Sequence, residues 1–133
     1  MSAGRADRLA RVRAVLDQKR QLAEWNQARC RREEAERDAL SVELLQTLGD
    51  QSLMQGLFLE AKANAIRRND AELAAARIAS EKATIAAREA GATQKRVERA
   101  EARARVDEAA AKERASLLDI LDDHLAAQAM RRL

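Results

Sequence analysis

The chain has no proline, no tyrosine, one phenylalanine, one tryptophan, one cysteine, one histidine and four glycines in 133 residues. Each scarcity removes a class of structure or chemistry. Without proline and with so few glycines, almost nothing interrupts a helix. With aromatics at 2% and alanine dominating the 47% apolar fraction, a compact core is out of reach, because alanine buries little area per residue. A single cysteine, Cys30, excludes an internal disulfide, and the opening MSAGRADR has no apolar h-region. No run of eighteen apolar residues is present, so no membrane-spanning segment is expected.

What remains is Ala, Arg, Glu and Leu, the residues that lose least side-chain entropy in a helix. Charged residues make up 35% of the chain, yet 25 basic and 22 acidic groups leave a formal charge of only +3. The two signs are interleaved along the whole length and no segment is a basic block. Such a pattern decorates the solvated faces of helices rather than a phosphate-binding surface. Residues 26–32 (NQARCRR) resemble a leucine-zipper basic region only faintly, because Glu33, Glu34 and Glu36 follow at once. No nucleic-acid partner is expected.

The punctuation organises these helices. A first arm is expected over about residues 4–48, a turn over about 49–52 (GDQS), and a second arm over about 53–128. The fold class is all-α: an elongated antiparallel two-helix coiled-coil hairpin with unequal arms, in one domain over 1–133. In the first arm Leu9, Leu16, Ala23, Cys30 and Leu44 fall on one heptad line, with Val12 and Leu40 assigned to the other. Lys19, Asn26, Glu33 and Arg37 weaken that seam. In the second arm the heptads run Leu59, Ile66, Leu73, then Ile78 and Ile85, then Val97, Ala104, Ala111, Leu118 and Leu125, with phase jumps between groups. Gly56, the stretch around Asn69, and Gly91 are weaker breaks or kinks. Pairing about the turn sets Leu44 near Leu57 and Leu16 near Ile85, so that roughly the last thirty residues overhang. That overhang carries an apolar stripe of Leu117, Leu118, Ile120, Leu121 and Leu125. Trp25 is expected to pack against the second arm.

No catalytic, cofactor-binding or metal site is expected. The glycines form no phosphate loop, the one histidine (His124) is far in sequence from the one cysteine, and no carboxylate is set in an apolar stretch that would tune it for proton transfer. The densest apolar cluster is Leu53, Met54, Leu57, Phe58 and Leu59, just past the turn. It serves either as a local core or as a partner-facing edge.

Three stretches together resemble the FliJ and YscO family of stalk proteins from flagellar and type III export machines: the opening arm DRLARVR at 7–13, the break near residue 50 followed by FLEAKANAI, and the ending LDDHLAAQ with Arg131 and Arg132. The resemblance implies a non-enzymatic stalk or escort that couples a hexameric export ATPase to a membrane export gate protein, and that meets export chaperones. By the same resemblance the gate contact falls on Leu40, Leu44, Leu48, Phe58, Lys62 and Ala65. The ATPase contact falls on the terminal end, at Arg5, Arg8, Arg11, Arg13, Leu121 and Leu125. A monomer is implied, cytoplasmic, held at the inner face of the inner membrane through its partners. The tyrosines and tryptophans common at the family's bend are missing here. The alternative is a structural or adaptor coiled coil unrelated to secretion.

Overall fold

A computed structural model describes residues 4–49 and 58–133 of the chain. The described residues form two α-helices and no strand: α1, Arg5–Gly49 (45 residues), and α2, Leu59–Arg131 (73 residues). The expected turn at 50–52, the cluster Leu53, Met54 and Leu57, and the pairing of Leu44 with Leu57 lie outside the described residues.

Local chemistry accounts for the helix lengths. Gly4 and Gly49 bracket α1, and no glycine or proline lies between them. Along α1 Arg20 pairs with Glu24 at 2.9 Å and Arg29 with Glu33 at 3.0 Å, both at the i,i+4 spacing that supports an isolated helix by a few tenths of a kcal/mol. In α2 the helix runs straight through Gly91, which has no positive φ and nothing within 4 Å of where a Cβ would stand. The expected break there does not occur. Gly91→Ala should therefore stabilise the protein by about 0.5–1 kcal/mol, since it removes glycine's excess backbone entropy without a clash. A urea midpoint unchanged or lowered by this substitution would count against it.

The chain divides into two compact units. The first joins Met1–Asp17 to Thr93–Leu133 and the second is Gln18–Ala92. Within each, the two helices run antiparallel. In the first unit Ala6 donates its backbone N–H to Glu108 Oε1 (3.0 Å), Arg13 pairs with Glu101 (2.6 Å) and Gln94 donates to Asp17 (3.1 Å), so α1 numbers rise as α2 numbers fall. In the second, Gln27 donates to Thr84 (3.2 Å), Asn69 Nδ2 to the Arg37 carbonyl (3.1 Å) and Lys62 Nζ to the Thr47 carbonyl (3.4 Å). Asp17 thus meets Gln94, nine positions beyond Ile85, and the expected register that set Leu16 against Ile85 is corrected.

Burial recurs every seven residues on both helices. On α1 the inward lines are Leu9, Leu16, Ala23, Cys30, Arg37, Leu44 and Ala6, Arg20, Gln27, Glu34, Ser41, the second interrupted at the exposed Arg13. The first is the expected line. The second replaces Val12 (46% exposed) and Leu40, because geometry places a largely polar series there. On α2 the lines Ile66, Leu73, Ser80, Ala87, Gln94, Glu101 and Asn69, Ala76, Ala83, Ala90, Val97, Ala104 are unbroken. The expected phase jumps vanish: Ser80 and Ala87 hold the line, and Ile78 and Ile85 stand outside it, about half exposed. Small side chains allow the backbones to approach, and Gln94 and Glu101 find polar partners across the seam, so burial follows position more than hydrophobicity.

The resulting core is thin. Among the described residues the buried apolar ones are Ala6, Cys30, Leu73, Ala83, Ala87 and Ala104, of which only Leu73 is large. At the start of α1 the Glu108 carboxylate accepts from Ala6 N–H, supplying from α2 the anionic cap that Gly4 lacks. The same carboxylate oxygen lies 2.7 Å from where a Cβ on Gly4 would stand, so any larger residue there must displace the cap.

Candidate partner-binding surfaces

Two surfaces hold the residues that the sequence singles out, one in each unit. In the second unit a shallow groove of about 250 Å³ is lined by Arg37, Leu40, Leu44, Ala65, Arg68, Asn69 and Glu72. It collects three of the six expected gate residues, Leu40, Leu44 and Ala65. The others lie towards the helix ends: Lys62 is tied to the Thr47 carbonyl, Leu48 follows Thr47 and is 38% exposed, and Phe58 is 57% exposed immediately ahead of α2. The groove's lining mixes apolar Leu40, Leu44 and Ala65 with buried Asn69 and with Arg37 and Glu72, which form an ion pair. That pattern suits a partner side chain that is aliphatic at its tip, with polar neighbours.

Asn69 was not among the residues that the sequence proposes for this surface. It is 3% exposed, and while its Nδ2 donates to Arg37, its Oδ1 has no hydrogen-bond partner. The only trace in the sequence is an asparagine on a heptad line within RRND, which reads equally well as a helix break. No break occurs, and the side chain turns inward. A buried polar residue at a seam position costs stability and favours one register over its neighbours.

In the first unit Arg5, Arg8 and Arg11 are exposed on the first turns of α1, whereas Arg13 is engaged by Glu101. Leu121 and Leu125 lie on α2, 50% and 53% exposed, in a stretch from Arg105 to the C-terminus where every residue is exposed. α2 continues without interruption to Arg131, so this stretch does not fold back on α1. Leu121 is thirteen residues past Glu108, about 20 Å along the helix axis. The structure therefore does not bring the arginine group and the two leucines together. Nor does it bring Arg131 and Arg132 beside Arg5.

Trp25 also departs from expectation. It is 58% exposed instead of packed against α2, and the Arg29 guanidinium lies 5.8 Å from its ring centroid, a cation–π pair on the outer face of α1. Cys30 is buried and free. Among the described residues no three His, Cys, Asp or Glu side chains are grouped to hold a metal ion, and no helix is long and apolar enough to cross a membrane. His124, with Asp122 and Asp123, stands on the exposed part of α2.

No protein-family model, no curated protein and no solved structure matches this chain.

Proposed function

We propose that the chain is a non-catalytic stalk and escort component of a type III protein export machine of the flagellar kind, an antiparallel coiled-coil hairpin with unequal arms that links a hexameric export ATPase to a membrane export gate. The observation that carries this reading is the distribution of apolar surface. The seam between the helices is narrow and largely alanine or polar, while large side chains are left exposed at Leu40, Leu48 and Phe58 in the second unit and on the uncovered end of α2 in the first. A stalk with one docking surface in each unit leaves its apolar side chains in this distribution. In the proposal the groove, with Leu48, Phe58 and Lys62, meets the gate. Arg5, Arg8, Arg11 and Arg13, with Leu121 and Leu125, meet the ATPase, and export chaperones visit the same shaft. The chain works at the cytoplasmic face of the inner membrane through these proteins, without cofactor or nucleic acid.

The deciding experiment mixes the purified chain with an export ATPase and measures hexamer formation and ATP turnover. Binding with raised turnover is expected; neither binding nor stimulation rejects the reading. A second expectation concerns the gate. Phe58→Ala should weaken gate binding by about tenfold, the size of an interface hot spot, with helicity unchanged because Phe58 is 57% exposed. Melting of the helices without loss of gate binding would make Phe58 part of the core and nothing more.

A second reading, an adaptor coiled coil unrelated to secretion, is favoured by Ile78 and Ile85. These residues present apolar surface on the outer face of the second unit, to which the stalk reading assigns no partner. Indifference to the ATPase together with capture of an unrelated protein through Ile78 and Ile85 would select it.

A further inference from the structure

We infer that the exposed C-terminal part of α2, residues 111–128, pairs antiparallel with the same segment of a second copy of this chain. This goes beyond the stalk reading and concerns the chain alone, for which it replaces the monomer implied by family resemblance.

Three observations point to a second copy as the occupant. The first is continuity of the seam. Val97 and Ala104 lie on a line that faces α1, and the same seven-residue line continues through Ala111, Leu118 and Leu125 after α1 has ended. The helix therefore carries a packing line with no described residue on it. The second is area. Leu117, Leu118, Leu121 and Leu125 are each 50–59% exposed, and no described residue covers them. At roughly 100 Å² of recoverable surface for each of these four leucines, a symmetric pair buries about 800 Å² in all, in the range of weak, transient interfaces. That area predicts a concentration-dependent dimer, not a permanent one.

The third is complementarity between the segment and its own reverse. With Leu118 on the two-fold axis, Leu125 of one copy lies over Ala111 of the other, so large faces small at each end. Leu117 and Leu121 of one copy meet Leu121 and Leu117 of the other. On the flank, Lys112 comes beside Asp122 of the second copy, and the symmetry repeats this pair. A parallel arrangement would set Lys112 on Lys112 and Asp122 on Asp122. Because Leu121 and Leu125 are also the proposed ATPase residues, self-pairing and ATPase engagement exclude each other, and the dimer is a resting form.

Sedimentation equilibrium of the purified full chain tests this without any export component, so its outcome is separable from that of the ATPase experiment. The mass should rise from 14.8 kDa towards twice that value between low and high micromolar concentration. Leu118→Glu with Leu125→Glu should hold it at the single-chain mass throughout, with helicity kept, since neither side chain contacts α1. Ile78→Glu with Ile85→Glu should leave dimerisation intact. Orientation is read in a Cys30→Ser background: chains carrying Ala111→Cys, mixed with chains carrying Leu125→Cys, should give the mixed disulfide in several-fold excess over either homodimer. A single-chain mass at every concentration overturns the proposal. So does a dimer that survives the Leu118 and Leu125 substitutions, or cross-linking that favours the two homodimers.

Discussion

Arg13→Met combined with Arg105→Met should destabilise the protein by about 3 kcal/mol or more, far beyond either change alone, because together they strand a buried carboxylate. Glu101 sits on the inner line of α2 with its side chain 9% exposed. Arg13 Nε reaches its Oε2 at 2.6 Å, and Arg105 donates from Nη2 and Nε to Oε1 at 2.9 and 3.2 Å. The arginines are themselves 45% and 54% exposed, so each gives up little hydration to make these bonds. Losing one leaves Glu101 with the other, at a cost of about 1–2 kcal/mol, the ordinary value of a hydrogen bond to a charged group. Losing both leaves an uncompensated charge at a position that water scarcely reaches. Adding Glu101→Leu to the double variant should recover most of the loss, since a well-packed apolar residue often matches a buried ion pair. Urea titration followed by helicity reads all four variants. A double variant no worse than the two singles summed would mean that water solvates Glu101 and that the pairing is ornamental to stability.

How much of this was legible beforehand varies by residue for physical reasons. The bounds of α1 follow from Gly4 and Gly49, and its line of Leu9, Leu16, Ala23, Cys30 and Leu44 is apolar enough to be read directly. The opposite line is not, because Arg20, Gln27, Glu34 and Ser41 carry no hydrophobic mark and are half-buried all the same, Gln27 beside Thr84 and Glu34 beside Arg77 of α2. Val12 and Leu40 took their place in the reading by hydrophobicity alone. The same substitution occurs on α2, where Ile78 and Ile85 outrank Ser80 and Ala87 as apolar residues yet lose to them in burial. A seam built from close backbone approach selects small side chains, and periodicity of alanine and serine is nearly invisible against an alanine-rich background. The groove was legible in part: Leu40, Leu44 and Ala65 were placed near the bend, whereas Asn69 is recognisable only once α2 is seen to pass through it unbroken.

Leu73→Ala supplies the sharpest contrast between those two ways of ranking residues. It should cost about 2–3 kcal/mol, at the lower end of the range for buried leucines. Leu73 is 6% exposed and is the only large side chain among the buried apolar residues described, and its neighbours on the inner lines, alanine and serine at 76, 80 and 83, cannot close over the space it leaves. The figure stays at the low end because, among the described residues, no large side chain is fully buried, and water enters part of any cavity made. Ile85→Ala removes as much hydrocarbon from a residue that hydrophobicity alone ranks at least as highly for the core. Standing 48% exposed outside both inner lines, it should cost no more than about 0.5 kcal/mol, the range typical of surface positions. The difference between the two in urea midpoint tests the register itself: were Leu16 packed on Ile85, the order of the two effects would narrow or reverse, and the antiparallel pairing that sets Asp17 on Gln94 would be wrong.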